Sequence, residues 1–132
     1  GTAPVTEIKE EKPAMEAKLV GEHKPEIEYG DFDKCEFRVG EIMECAEVPK
    51  SKKLLCSQVK VGDKTVQILS GIKSHYSPEE MVGKKVMVLL NLKPVTMAGL
   101  QSEGMILCAE DSEGNLSLMT PEKDFHAGSE IC

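Results

Sequence analysis

Nine lysines fall between positions 50 and 93 of this 132-residue chain: Lys50, Lys52, Lys53, Lys60, Lys64, Lys73, Lys84, Lys85 and Lys93. Only Asp63, Glu79 and Glu80 oppose them, so the segment carries a local excess of six positive charges. Residues 1–28, 29–49 and 94–132 carry −3, −4 and −6, and the whole chain −7. The field at a surface follows local rather than total charge, so so basic a middle third can neutralise a polyanion despite the acidic balance. Lysines that only keep a β-protein in solution would give the same count, and charge alone does not separate the two. Groups that read bases are scarce. Aromatic residues make up 4%, Trp is absent, and Tyr76 is the single aromatic between Lys50 and Lys93. Single-strand platforms need such rings, and bidentate guanine contacts need arginine, of which the chain has only Arg38.

Catalytic patterns are missing from the sequence. It has no phosphate-cradling glycine loop, no G-x-S-x-G elbow and no metal-ligand spacing. Cys108 with His126 could be put forward as a nucleophile and base, but nothing in the sequence orients or activates them. We expect no catalytic residues, no metal ligands and no cofactor. The five cysteines (Cys35, Cys45, Cys56, Cys108, Cys132) are odd in number and form no C-x-x-C pair, so reduced thiols in a cytoplasm are expected. A zinc site using His75 or His126 would need ligand pairs at short spacing. No apolar run exceeds about six residues, against the ~20 of a membrane span, and the start has no signal-peptide pattern.

The elements that must hold the lysines read as short strands between turns. Residues 1–28, with Pro4, Pro13 and Pro25 among Glu and Lys, predict a flexible acidic linker or tail with at most a transient helix around 14–19. The Gly start in place of Met suggests a piece of a longer protein. Residues 29–132 predict one domain. Strands are expected over 37–43, 54–61, 65–69, 85–90, 105–109 and 116–119, with Gly40 allowing a bulge or a close backbone approach. Gly62-Asp63-Lys64 predicts a hairpin turn. Ser77-Pro78-Glu79-Glu80 is a helix start, and Gly83 its stop. Strands with one short helix between the third and fourth predict an all-β fold, a five-stranded Greek-key oligonucleotide-binding (OB) barrel.

Three blocks carry a family resemblance: Phe37-Arg38-Val39-Gly40-Glu41-Ile42; Ser70-Gly71-Ile72 with Tyr76-Ser77-Pro78-Glu79-Glu80; and Gly83-Lys84-Lys85-Val86. The third continues through Asn91-Leu92-Lys93-Pro94, Gly99 and Ser102-Glu103-Gly104-Met105. Together they resemble the tRNA-binding domain found at the C-terminus of bacterial methionyl-tRNA synthetases and as free structure-specific tRNA-binding proteins. The match runs from about Tyr29 to the end of the chain. Two positions depart from the family: Lys52 stands where an acidic residue is usual, and Ala98 where a basic residue commonly precedes the glycine.

Lys50, Lys52 and Lys53, between the first two strands, and Lys93, before the fifth, lie in loops that flank the binding face of an OB barrel and, with Lys73, Lys85, Asn91, Ser102 and Met105, form the expected tRNA-binding set; the resemblance implies tRNA as its partner. It also implies attachment to a synthetase region that performs aminoacylation, and a homodimer joined partly through the C-terminal strands. Other roles stay open. Asn91 either caps a turn or touches RNA; Ser102 and Met105 either contact RNA or shape the loop and barrel mouth. Gly71, Gly83, Gly99 and Gly104 fit backbone requirements, and Arg38 fits an ion pair with Glu36 or Glu41. The apolar alternation at Leu116, Leu118 and Ile131 faces a protein partner or closes the barrel. The competing function is a CsaA-type export chaperone, which shares the motifs and binds unfolded polypeptides; a cytokine-like scaffold, as in the eukaryotic relatives, ranks behind it.

Overall fold

The structure, a computed structural model, describes residues 19–132. The expected lead-in over 1–28 lies mostly outside that range, as does the helix around 14–19 except for Leu19, and residues 19–28 form no regular element. Among the described residues no helix is long and apolar enough to cross a membrane.

Strand β1 (Phe37–Glu47) is shared between partners. Its residues 37–41 pair antiparallel with β4 (Lys85–Leu89), and its residues 41–47 with β2 (Leu55–Val61). A strand that serves two neighbours in succession must curl. Gly40 sits at the changeover, where a Cβ would lie 2.6 Å from Val59 Cγ1 and 3.0 Å from Val88 Cγ2. The bulge falls just beyond, where the register slips between Ile42 and Glu44. Of the two alternatives for Gly40, the close approach is the one found there.

β2 alternates as half-buried strands do, with Leu55, Ser57, Val59 and Val61 buried inward and Cys56, Gln58 and Lys60 outward. It forms a hairpin with β3 (Lys64–Ser70) through Gly62 at φ 66°. Val86, Val88, Ile42 and Ile68 complete the centre of the core. Between β3 and β4, α2 (Pro78–Met81) plugs the barrel with fully buried Met81. Its start is the expected capping box: Ser77 Oγ accepts from Glu80 N–H, and Glu80 Oε2 accepts from Ser77 N–H.

The barrel closes through side chains where the ladder fails. β4 pairs on its far side with β7 (Met105–Ile106). The chain leading into β7 meets β3: Leu69 N–H donates to Ser102 Oγ at 3.0 Å, Glu103 N–H to Gln67 O at 2.7 Å, and Gln67 N–H to Glu103 Oε1 at 2.7 Å. The architecture is the all-β OB-type barrel with a single helix between strands 3 and 4.

Several elements exceed the sequence expectation. These are α1 (Tyr29–Asp33), the hairpin of β5 (Val95–Met97) with β6 (Leu100–Ser102), and β10 (Glu130–Ile131), which pairs with the start of β1. The strand expected over 105–109 breaks at Leu107, which donates to Met87 O and accepts from Met119 N–H. There the chain leaves β4 and continues as β8 (Cys108–Glu110), paired with β9 (Leu116–Leu118). Leu118 is buried and Leu116 packs against the core, so these two residues close the barrel.

Asp111 organises the β8–β9 turn by accepting from the side-chain amide and N–H of Asn115 and from Glu113 N–H, which holds its carboxyl below its ordinary range. A carboxyl depressed by folding stabilises the fold above its unfolded pKa, and that contribution is lost as pH falls through the folded value. Asp111→Ala is therefore less stable than the parent at neutral pH, with a deficit that shrinks as urea melts are taken to acid pH. Gly40→Ala drives a methyl into Val59 and Val88 and lowers stability by about 1–3 kcal/mol in the same assay.

Candidate nucleic-acid interface

The loop between β1 and β2 is a stiff, basic projection. Val48 is buried and anchors it, Ser51 N–H donates to Val48 O, and Ser51 Oγ accepts from both Lys53 and Leu54 N–H at 3.1 Å. Such a hydroxyl-centred turn fixes the backbone while Lys50, Lys52 and Lys53 stay exposed. Lys53 O accepts Lys73 N–H at 3.1 Å, joining this loop to the one after β3, where Ile72 is the buried anchor. Lys73 itself is half-buried, with its ammonium 3.5 Å from Glu47 Oε1. Lys50 Nζ reaches the tip of the β5–β6 hairpin, 3.9 Å from where a Gly99 Cβ would be. Lys93, exposed, stands at the base of that hairpin. Met105 is also exposed and is the β7 partner of Leu89 beside that base. The loops at 49–53, 71–73 and 98–99 therefore gather at one end of the barrel.

Three residues of the expected set are placed otherwise. Lys85 begins β4, at the opposite end of that strand from Asn91, and its ammonium donates to Asp124 Oδ1 at 2.9 Å and Phe125 O at 2.6 Å. It is a latch on the C-terminal segment. Ser102 is buried, and its hydroxyl is spent on Leu69 N–H and on Gly104 O; it seals the barrel. Asn91 is exposed, yet both ends of its amide are bonded to backbone 55 and 57 residues away, so it caps no turn of its own.

Gln58 and Gln67 escaped the sequence reading. Gln58 Nε2 donates to Gln67 Oε1 at 3.0 Å, and Gln67 Nε2 donates to Gln101 O at 2.9 Å, forming a neutral amide row on the outer face of β2 and β3. The β2 alternation already marks Gln58 as outward. Tyr76, the aromatic nearest the lysines in sequence, turns toward the core, where its hydroxyl accepts Leu118 N–H at 3.0 Å. Its ring is half-buried and packs against the core. Arg38 is an ion-pair partner of Glu36 at 2.8 Å, as expected, and also donates to Gly128 O.

Nucleophilic chemistry finds no support in the geometry. Burial raises the thiol pKa values of Cys45, Cys56 and Cys108, which keeps them protonated and weakly reactive. His126 is engaged within its own turn, with Ser129. Among the described residues, no group of three or more His, Cys, Asp or Glu could hold a metal ion.

A curled OB-type barrel with lysine-bearing loops at one end has the form of a nucleic-acid-binding module. Residues 37–130 match the family described as "Putative tRNA binding domain", and the chain belongs to that family. It is 53% identical over 111 residues to a methionine--tRNA ligase of Methanocaldococcus jannaschii, an alignment covering 84% of this chain and 17% of that relative. The chain thus spans about a sixth of the ligase's length. The crystal structure of a MetRS-related protein from Pyrococcus horikoshii superposes with TM-score 0.78 at 28% identity, covering 83% of this chain and all of that one. A CsaA chaperone from Picrophilus torridus follows at TM-score 0.74 and 28% identity, covering 81% of this chain and all of that one.

Lys85→Ala is expected to destabilise the fold by about 1 kcal/mol while leaving the salt dependence of nucleic-acid binding unchanged, as parallel melts and titrations would record. At pH 8 an aromatic disulfide reagent should modify exposed Cys35 and Cys132 quickly and the three thiols of raised pKa slowly.

Proposed function

We propose that the chain binds tRNA through its shape and phosphate backbone, as an appended domain that aids tRNA capture by a methionine--tRNA ligase. The observation that carries this reading is the convergence of the Lys50–Lys52–Lys53 loop on the β5–β6 hairpin, with Tyr76, the aromatic nearest those lysines in sequence, turned to the core. Phosphate neutralisation supplies sequence-independent affinity, and folded RNA is recognised chiefly by shape and backbone. The domain itself needs no cofactor, and aminoacylation belongs to a catalytic region elsewhere in the longer protein. It acts in the cytoplasm.

We further infer a homodimer. A groove of about 590 Å³ runs between Val39, Met87, Met119, Phe125 and Ile131, on the C-terminal side of the barrel. Met119 and Phe125 are 42% and 52% exposed there, in a stretch where Glu122, Asp124 and Glu130 outnumber Lys123, which disfavours RNA and leaves the groove to protein contacts. Two copies would present two basic loop faces to one tRNA, raising affinity through effective concentration.

The test is a titration of folded, unfractionated tRNA at several salt concentrations, with an unstructured polypeptide as competitor. Four or five phosphate contacts give a slope of log K against log salt of roughly −3 to −4.5. Lys50→Ala/Lys52→Ala/Lys53→Ala should flatten it by about 2–2.7. Ala98→Arg, at the tip that Lys50 reaches, should steepen it by about one phosphate equivalent. Loss of tRNA binding at low salt, with the polypeptide bound instead, would sink this reading in favour of a chaperone.

A further inference from the structure

The Asn91 amide stands in for a missing rung of the barrel. In the β1–β4 ladder Phe37 faces Leu89, and Leu90 N–H donates to Glu36 O at 2.9 Å. At Asn91 the chain leaves the sheet, and there Asn91 Oδ1 accepts Glu36 N–H at 2.8 Å. The other end of the amide donates to Lys34 O at 2.7 Å. Lys34 is the C-cap of α1, and its carbonyl is one of the acceptors that a helix end leaves without an intrahelical partner. One side chain thus ties the end of α1 and the start of β1 to the loop that carries Lys93. On the far side of Lys93, Pro94 restricts the lysine backbone to extended conformations. Lys93 is held between a hydrogen-bonded clamp and a proline ring.

We propose that Asn91 is a positioning residue: it presents Lys93 to a tRNA phosphate by locking the 91–94 loop to the α1–β1 junction, and does not touch the RNA. The proposal rests on the tRNA-binding reading above. Each end of the amide is held by a backbone partner, so Lys34 and Glu36 set the side chain's orientation, and its evident work is to tie the loop down. The same geometry couples the point where the chain enters the barrel to the phosphate-contacting loop.

The experiment compares salt-dependent tRNA titrations of the 132-residue chain, Asn91→Ala, Lys93→Ala and the double variant. Asn91→Ala removes no charge, yet it should flatten the slope by about 0.7–0.9, as though one phosphate contact were gone. In the Lys93→Ala background it should cost no further affinity, because the residue acts through that lysine. The Glu36 amide should exchange faster with solvent in Asn91→Ala than in the parent. A loss of affinity at unchanged slope, additive with Lys93→Ala, would show a direct contact and overturn the proposal. Unchanged binding with lowered stability would show a purely structural role and overturn it equally. If alanine prevents folding, Asn91→Ser, neutral and too short to bridge both partners, takes its place. A parent chain that binds no tRNA overturns both readings, whereas a binding parent with an Asn91→Ala slope like its own overturns this one alone.

Discussion

The barrel depends on the absence of one methyl group. β1 passes from β4 to β2 at Gly40, and there the backbone lies so close to Val59 and Val88 that no side chain fits. Without that approach the two halves of the sheet would splay, and the inward valines would lose the contacts that make a dense core. The bulge beyond it adds local twist. Together they bring β3 round to the chain preceding β7, where the seam must close.

Closure is made by polar side chains, and that has an electrostatic consequence. The Ser102 and Glu103 side chains accept the Leu69 and Gln67 N–H groups that a regular ladder would have paired, beside one backbone bond from Glu103 N–H to Gln67 O, so the seam can sit beside irregular loops. Those loops carry Lys50, Lys52, Lys53 and Lys93, while the acidic residues concentrate elsewhere in the chain. A net charge of −7 is therefore compatible with a basic end. Potential near a surface is set within about a Debye length, ~8–10 Å at ordinary salt.

Periodicity made much of the fold legible. The alternation in β2, the capping box at Ser77 and the turn at Gly62 are local signals, and each lies where its residues indicated. What escaped notice depends on distant partners. β10 has two residues and exists because β1 offers an edge at Phe37 and Arg38. The β5–β6 turn places Ala98 at φ 48° beside Gly99 at φ 81°, a left-handed pair that alanine does not advertise. For the interface, exposure of the loop lysines followed from composition and turns. The diversion of Lys85 to Asp124 and of Ser102 to Leu69 did not, because those partners lie 39 and 33 residues away. Side-chain chemistry names what a residue can bond, and topology decides what it meets.

The pairing of β10 with β1 also bears on how such a barrel can be used by evolution. Phe37 and Ile131 are opposite each other in an antiparallel pair, so the barrel's first and last strands meet within about 5 Å, the spacing of adjacent strands. A unit whose two ends share one doorway can be spliced onto another protein, or into a surface loop of one, without stretching its host. The same adjacency makes a circular permutant feasible, with a short linker across the doorway and new ends cut in the β8–β9 turn. Portability of this kind is a property of the hydrogen-bonded edge.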